Sequence, residues 1–127
     1  MIQNNLYKGF EVELFTGSLN SHVGVSAEIE KKFSDFVKEP DNRNVEYIPA
    51  PEKDYNFLYE KLITPRKKLR RWLNKKELTI IPSSTLCFKH DIQFQRSDND
   101  NVYHQFIQDN YGISIACLLY TSPSPRD

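Results

Sequence analysis

Cysteine is scarce in this chain: only Cys87 and Cys117. Two cysteines make no disulfide scaffold, and their spacing fits no zinc motif, so a reducing compartment is the default expectation. An excess of either charge is also missing. Lys and Arg total 17, Asp and Glu total 17, and the formal net charge is zero. Such a balance gives no global field to draw in nucleic acid, an anionic membrane or an acidic partner. No long hydrophobic run occurs. The longest, around residues 113–120, falls far short of the roughly 20 residues of a membrane span. The opening residues MIQNNLYKGF lack the basic start and apolar core of a secretory signal. Internal repeats are absent. The expectation is a cytoplasmic protein with no nucleic-acid and no membrane partner.

What the chain does have is an ordinary globular composition, 39% hydrophobic and 13% aromatic over 127 residues, enough for one domain with a core. Residues 8–16 alternate, with Phe10, Val12 and Leu14 on one face and Glu11, Glu13 and Phe15 on the other, as in a strand. Residues 26–38 carry Ile29, Phe33, Phe36 and Val37 at helical spacing, with Ser26 as N-cap. Residues 44–48 form a second strand with Val45 and Tyr47 on one face and Glu46 on the other. Tyr55, Leu58, Tyr59 and Leu62 mark a further helix, which Thr64-Pro65 either interrupts or restarts. Residues 78–81 suggest a short strand, 96–101 a polar loop, 103–111 a helix capped by Gly112, and 113–116 another strand. There is no βαβ rhythm and no glycine-rich phosphate loop. The predicted class is α+β.

Residues 117–127, CLLYTSPSPRD, stand apart. In one reading frame the whole segment back-translates to the adapter used in transposase-based sequencing libraries. The expected division is therefore 1–116 as the amino-terminal part of a catalytic domain and 117–127 as a translated adapter tail. A natural Ser/Pro-rich terminus is the competing reading.

The sharpest chemical feature is Glu11-Val12-Glu13. A spacing of two in a strand puts both carboxylates on one face. If this strand pairs with residues 44–48, Glu46 joins them. Converging carboxylates repel unless a cation neutralises them, and magnesium, a hard ion that favours oxygen, suits such a set. Alternating glutamates alone, however, are more often the wet face of an edge strand.

Four segments extend that pattern: GFEVEL at residues 9–14, EPDNRNVEYIPAP at 39–51, LTIIPSSTL at 78–86 and RSDNDNVYHQFIQDNYG at 96–112. In order and spacing the chain resembles the bacterial glutamate–cysteine ligases of the cyanobacterial type, from about residue 6 to 116. The resemblance implies a glutamine synthetase-like catalytic domain: a partial antiparallel sheet with flanking helices, its active site on the concave face. It implies ATP and Mg2+ as cofactors and glutamate and cysteine as substrates. The γ-carboxylate would be phosphorylated by ATP and the cysteine amine would then displace phosphate. It makes Glu11, Glu13 and Glu46 metal ligands. The family's sheet continues past this chain with a strand bearing histidine and asparagine, so the chain alone is expected to be inactive.

Other candidates are weaker. Arg96 matches an arginine of the family's RSD segment and can clamp a substrate carboxylate; a surface arginine is the competing role. Arg43 is a second substrate-binding candidate, against a structural pair with Asp41 or Glu39. Ser84 and Thr85 are possible hydrogen-bond donors to substrate. His22, His90 and His104 lack metal spacing, with Tyr103-His104 a minor site candidate. Two alternatives remain. One is another carboxylate–amine ligase. The other is a module that binds nucleic acid or membrane through the basic segment 66–76, where Leu69, Trp72 and Leu73 form a stripe that a core would use instead.

Overall fold

The computed structural model describes residues 5–18, 24–83, 96–98 and 101–110. Four strands, β1 (Val12–Gly17), β2 (Val37–Lys38), β3 (Asn44–Tyr47) and β4 (Thr79–Ile81), form one antiparallel sheet in the order β2-β3-β1-β4. Three helices accompany it: α1 (Ser26–Lys32), α2 (Tyr55–Asn74) and α3 (Val102–Asn110). The α+β class holds.

Alternation along the strands divides the residues between two faces. Val45, Tyr47 and Ile80 turn to one side and form the core with Ile29 of α1, Phe36, and Leu69 and Leu73 of α2. Val12, Leu14, Phe33, Trp72 and Leu78 pack against it. Aromatic rings fill the space between the layers, with Phe36 to Tyr47 at 5.2 Å and Phe33 to Trp72 at 5.9 Å between centroids. The other face carries Glu13, Phe15, Asn44 and Glu46, since β1 and β3 pair Glu13 with Glu46 and Phe15 with Asn44.

Two helical expectations need correction. The predicted helix over residues 26–38 ends at Lys32, and Phe33 is already extended at φ −126° and ψ 119°. Ser34-Asp35 makes a turn, and Val37–Lys38 become β2, paired with Glu46 and Val45. Phe33 and Phe36 still reach the core. A spacing of three satisfies a helix and a turn-then-strand equally well, so periodicity alone misplaces the boundary. Nor does Ser26 cap the helix. Its hydroxyl donates to Asn42 Oδ1 at 2.7 Å, and Asn42 Nδ2 donates to the Gly24 carbonyl at 2.8 Å. This clasp ties the start of α1 to the β2–β3 turn. Gly24 is required there, because a Cβ would run into the Asn42 carbonyl.

The second correction is Pro65, which neither breaks nor restarts a helix: α2 runs unbroken from Tyr55 to Asn74 with Pro65 inside. Asp54 caps it, its Oδ1 accepting from Asn56 N at 2.8 Å and Phe57 N at 3.1 Å. An interior proline removes one backbone donor and crowds the turn before it. The carbonyl so deprived is that of Lys61; its neighbour Leu62 accepts from the Tyr47 hydroxyl of β3 at 2.6 Å, which ties this turn of α2 to the sheet. Burial raises the Tyr47 phenol above its ordinary pKa of 10.0, opposed by Arg66, so it stays a donor. At its other end α2 closes with Leu78 N donating to Leu73 O at 3.0 Å and Glu77 N to Asn74 O at 3.2 Å, with Glu77 at φ 59°. That is a Schellman closure with glutamate where glycine fits best.

Two stability predictions follow from α2. Tyr47→Phe should cost about 1 kcal/mol by loss of one buried hydrogen bond. Glu77→Gly should raise stability by up to about 1 kcal/mol by relieving the left-handed backbone. Urea unfolding midpoints measure both.

Candidate functional site

The β1–β3 register brings the expected acids together. Glu13 lies directly across from Glu46. Glu11, next on the same face, lines a cleft of about 390 Å³ with Glu13, Phe10, Ile48, Pro49 and Pro51. A larger cavity of about 580 Å³ lies on the helix side, bordered by Tyr47, Lys61 and Thr64, and holds none of these acids.

A fourth carboxylate, Glu39, joins them, although the sequence reading gave it only a pairing role with Arg43. Val37 pairs with Glu46, and Glu39 N donates to the Asn44 carbonyl at 3.4 Å. Residues 37–46 are therefore a hairpin, and its alternation puts Glu39 on the face of Glu46. The signal was present in the sequence. Pro40-Asp41-Asn42 reads as a hairpin turn once Val37 is taken as strand.

The electrostatics follow from crowding. Burial first, then Glu46, Glu13 and Glu11, push the Glu39 carboxyl from its ordinary 4.5 up to about 8. Glu39 is thus protonated at neutral pH and shares a hydrogen bond with Glu46. Glu46 is itself raised, chiefly by burial and then by Glu13 and Glu11. On the other side of Glu39 stands His104 of α3, with Nε2 3.7 Å from Oε2. Burial lowers the His104 pKa below its ordinary 6.5. With Glu39 protonated and His104 neutral, this contact carries no ion pair at pH 7.

Asn44 is the second residue that the sequence did not single out. It is 1% exposed, and its Nδ2 donates to Glu13 Oε2 at 3.2 Å. Its Oδ1 is buried without any hydrogen-bond partner. Helix α3 is anchored beside this cluster. Asn101 Oδ1 caps it, accepting from Tyr103 N at 2.9 Å, and Gln108 Nε2 donates to the carbonyls of Pro40 at 2.8 Å and Ser97 at 3.0 Å.

The arginines fall elsewhere. Arg43 is 2% exposed, with Nε donating to Asp41 Oδ1 at 2.9 Å and a second nitrogen to Oδ2 at 2.6 Å. This is the structural pair, and it corrects Arg43 as a substrate ligand: a buried guanidinium forked onto Asp41 is turned to the hairpin. Arg96 is on the surface, paired with Asp109 of α3, while its backbone bridges to Asp41. The basic segment of α2 leaves Arg66, Lys67, Lys68, Arg70 and Arg71 exposed and puts Leu69 and Leu73 in the core. Ser84, Thr85, His22, His90 and residues 111–127 lie outside the described residues, and so do the expected Gly112 cap, the strand at 113–116 and the tail.

In ligand chemistry alone, the carboxylates of this face suit a hard divalent cation. Among the described residues, however, no group of three or more His, Cys, Asp or Glu side chains is placed to hold a metal ion. Glu11 and Glu13 are exposed, and drawing them closer to Glu46 and Glu39 without a cation would add to the repulsion that already raises those two carboxyls. Among the described residues no helix is long and apolar enough to cross a membrane. No family model, curated protein or solved structure matches this chain.

The Glu39 shift sets a pH dependence. The folded chain holds this proton up to about pH 8, whereas an unfolded chain releases it near 4.5. Its contribution to stability is complete below the lower value and lost as pH rises through the upper one. His104 acts in the opposite sense, but only at the acid end. Without divalent cation, stability should therefore fall between pH 6.5 and 8.5, and Glu39→Gln should flatten that slope, as read by urea unfolding across the range.

Proposed function

We propose that the acidic sheet face binds Mg2+ together with nucleotide phosphates, and that the chain contributes this face to an ATP-dependent carboxylate–amine ligase. The observation that carries this reading is the facing pair Glu13–Glu46, with Glu11 beside it on the cleft and Glu39 behind. Four acids so crowded are a liability in a protein without a cation. The core on the opposite face needs this register, yet it does not need glutamate at any of these positions.

Glu11, Glu13 and Glu46 would hold the ion, with Glu39 joining as its proton leaves. Bound there, magnesium offsets phosphate charge, which is the principal demand of phosphoryl transfer. The chain's own residues gather oxygen donors, hold the Glu39 proton until a cation replaces it, and place α3 against the cluster. The resemblance of GFEVEL, EPDNRNVEYIPAP and the two later segments supports glutamate and cysteine as the pair joined, through a γ-glutamyl phosphate. In that reaction a γ-carboxylate oxygen takes the terminal phosphoryl group and ADP leaves. The cysteine nitrogen then attacks the acyl carbon, phosphate leaves, and an amide bond remains. A binding module built on α2 has less support, since Leu69 and Leu73 are spent in the core.

The test is Mn2+ binding to this chain, followed by the paramagnetic signal of the free ion. Binding should strengthen as pH rises from 6.5 to 8.5, and Mg2+ should compete. Glu13→Gln and Glu46→Gln should each weaken it at least about tenfold, the scale of losses seen around metal sites. A wild-type chain that ignores Mn2+ at pH 8 would sink the reading.

A further inference from the structure

We propose that the exposed basic face of α2 binds the phosphate backbone of single-stranded nucleic acid without reading its sequence. Leu69 and Leu73 are buried and Trp72 is half-buried, which turns the rest of this helical stretch to solvent. There stand Arg66, Lys67, Lys68, Arg70, Arg71 and the C-cap Lys75, all exposed. No acid interrupts them, since Glu60 precedes the run and Glu77 follows it. Among the described residues none of these six cations has an ion pair; their neighbour Lys76 does, with Glu28 at 3.0 Å. The net charge of zero therefore conceals a local concentration of positive charge.

The helix does not need this arrangement. Like charges one turn apart, as at Arg66 and Arg70, Lys67 and Arg71, or Arg71 and Lys75, destabilise a helix, and the core asks only for Leu69 and Leu73. What the rows of cations suit is a line of phosphates. Other anionic surfaces fit less well. A membrane takes up an amphipathic helix through its apolar face, and here that face is in the core. A protein partner is anchored through apolar and aromatic contacts, and no exposed apolar side chain lies between Arg66 and Glu77. Exposed rings lie instead further back along the same helix, at Phe57 and Tyr59. Seven residues make about two turns and eleven about three, so Tyr59 shares the side of Arg66 and Arg70, and Phe57 that of Lys68. Unpaired bases stack on such rings while cations hold the backbone, and bases paired in a duplex cannot. The inference is independent of cation binding at the acidic face, on the other side of the sheet.

Fluorescence anisotropy of a labelled single strand of about 20 nucleotides, in about 50 mM salt, tests this. The full chain should bind it whatever its sequence and more tightly than the matching duplex. The logarithm of the binding constant should fall linearly with that of the salt concentration. Arg71→Gln should make that line shallower by about 0.7, the loss of one phosphate contact. Lys67→Glu should weaken binding further, yet it sets an acid one turn before Arg71, so its urea unfolding midpoint should rise. Phe57→Ala should leave the salt slope unchanged and weaken the single strand but not the duplex. A chain that does not bind the oligonucleotide, or whose Arg71→Gln and Lys67→Glu variants bind it as wild type does, has only a solvated helix face, and the inference is overturned. Equal or tighter binding to phosphatidylserine vesicles, or equal competition by polyglutamate, would give the face to another partner and overturn it as well.

Discussion

The register between β1 and β3 is the constraint on which the rest of the molecule depends. Val12, Leu14 and Thr16 must face the same way as Val45 and Tyr47, because that side carries α1 and α2. In a pleated sheet a slip of β3 by one residue would turn that strand over, bringing Glu46 under α1 and α2 and expelling Val45 and Tyr47. Apolar burial therefore decides the pairing, and the carboxylates accept the consequence. The Glu13–Glu46 opposition is unfavourable by itself, since like charges directly across a sheet repel. It persists because the core on the far side is worth more than the repulsion at the surface.

The β2–β3 hairpin shows the same hierarchy in a second element. Its turn contains a buried ion pair, Asp41 and Arg43, forked through two hydrogen bonds. Buried pairs repay little of their desolvation in net stability, while breaking one by removing a partner is strongly destabilising. What this pair contributes is shape. The Arg43 carbonyl accepts from Thr16 N at 2.7 Å and from Thr16 Oγ1 at 2.9 Å, so the turn is joined to β1 as well as to itself. With Asn42 tied to Ser26 and Gly24, three side chains in a row fix the path of the chain between Glu39 and Glu46. Fixing that path is what forces Glu39 into the company of the other acids.

How much of this was legible in the sequence depends on whether the information was local. The alternation of β1 and β3 was, and with it the shared face of Glu11 and Glu13, because a period of two needs no knowledge of partners; Glu46 joined them only on the condition that the two strands pair. The span of α1 was not, since Phe33 and Phe36 reach the core equally well from a helix or from a turn leading to a strand. Glu39 and Asn44 followed from that error. Once residues 33–38 are assigned to a helix, Pro40 becomes its terminator instead of a hairpin turn, and no argument connects residue 39 to residue 46. Pro65 misled in the other direction. Its local signal for a break was sound, yet α2 runs through it, with Leu69 and Leu73 beyond it buried in the core and the Tyr47 hydroxyl of β3 on the Leu62 carbonyl. Arg43 was weighed between a place near Glu46 and a structural pair with Asp41 or Glu39, and its fork is on Asp41.

The two faces of the sheet thus separate two kinds of sequence requirement. On the helix side any well-packed apolar set of similar volume would hold the register, and the identities of Val45, Leu69 or Ile80 say little about purpose. On the other side Phe15 and Asn44 are buried and Glu39 and Glu46 half-buried, with α3 beside them; only Glu11 and Glu13 are exposed positions, of the kind that tolerate most polar residues. Yet that is where glutamate recurs at 11, 13, 39 and 46, raising carboxyl pKa values and stranding the Asn44 carbonyl. That gathering of mutually repelling groups on one surface is the ground on which the cation-binding proposal stands.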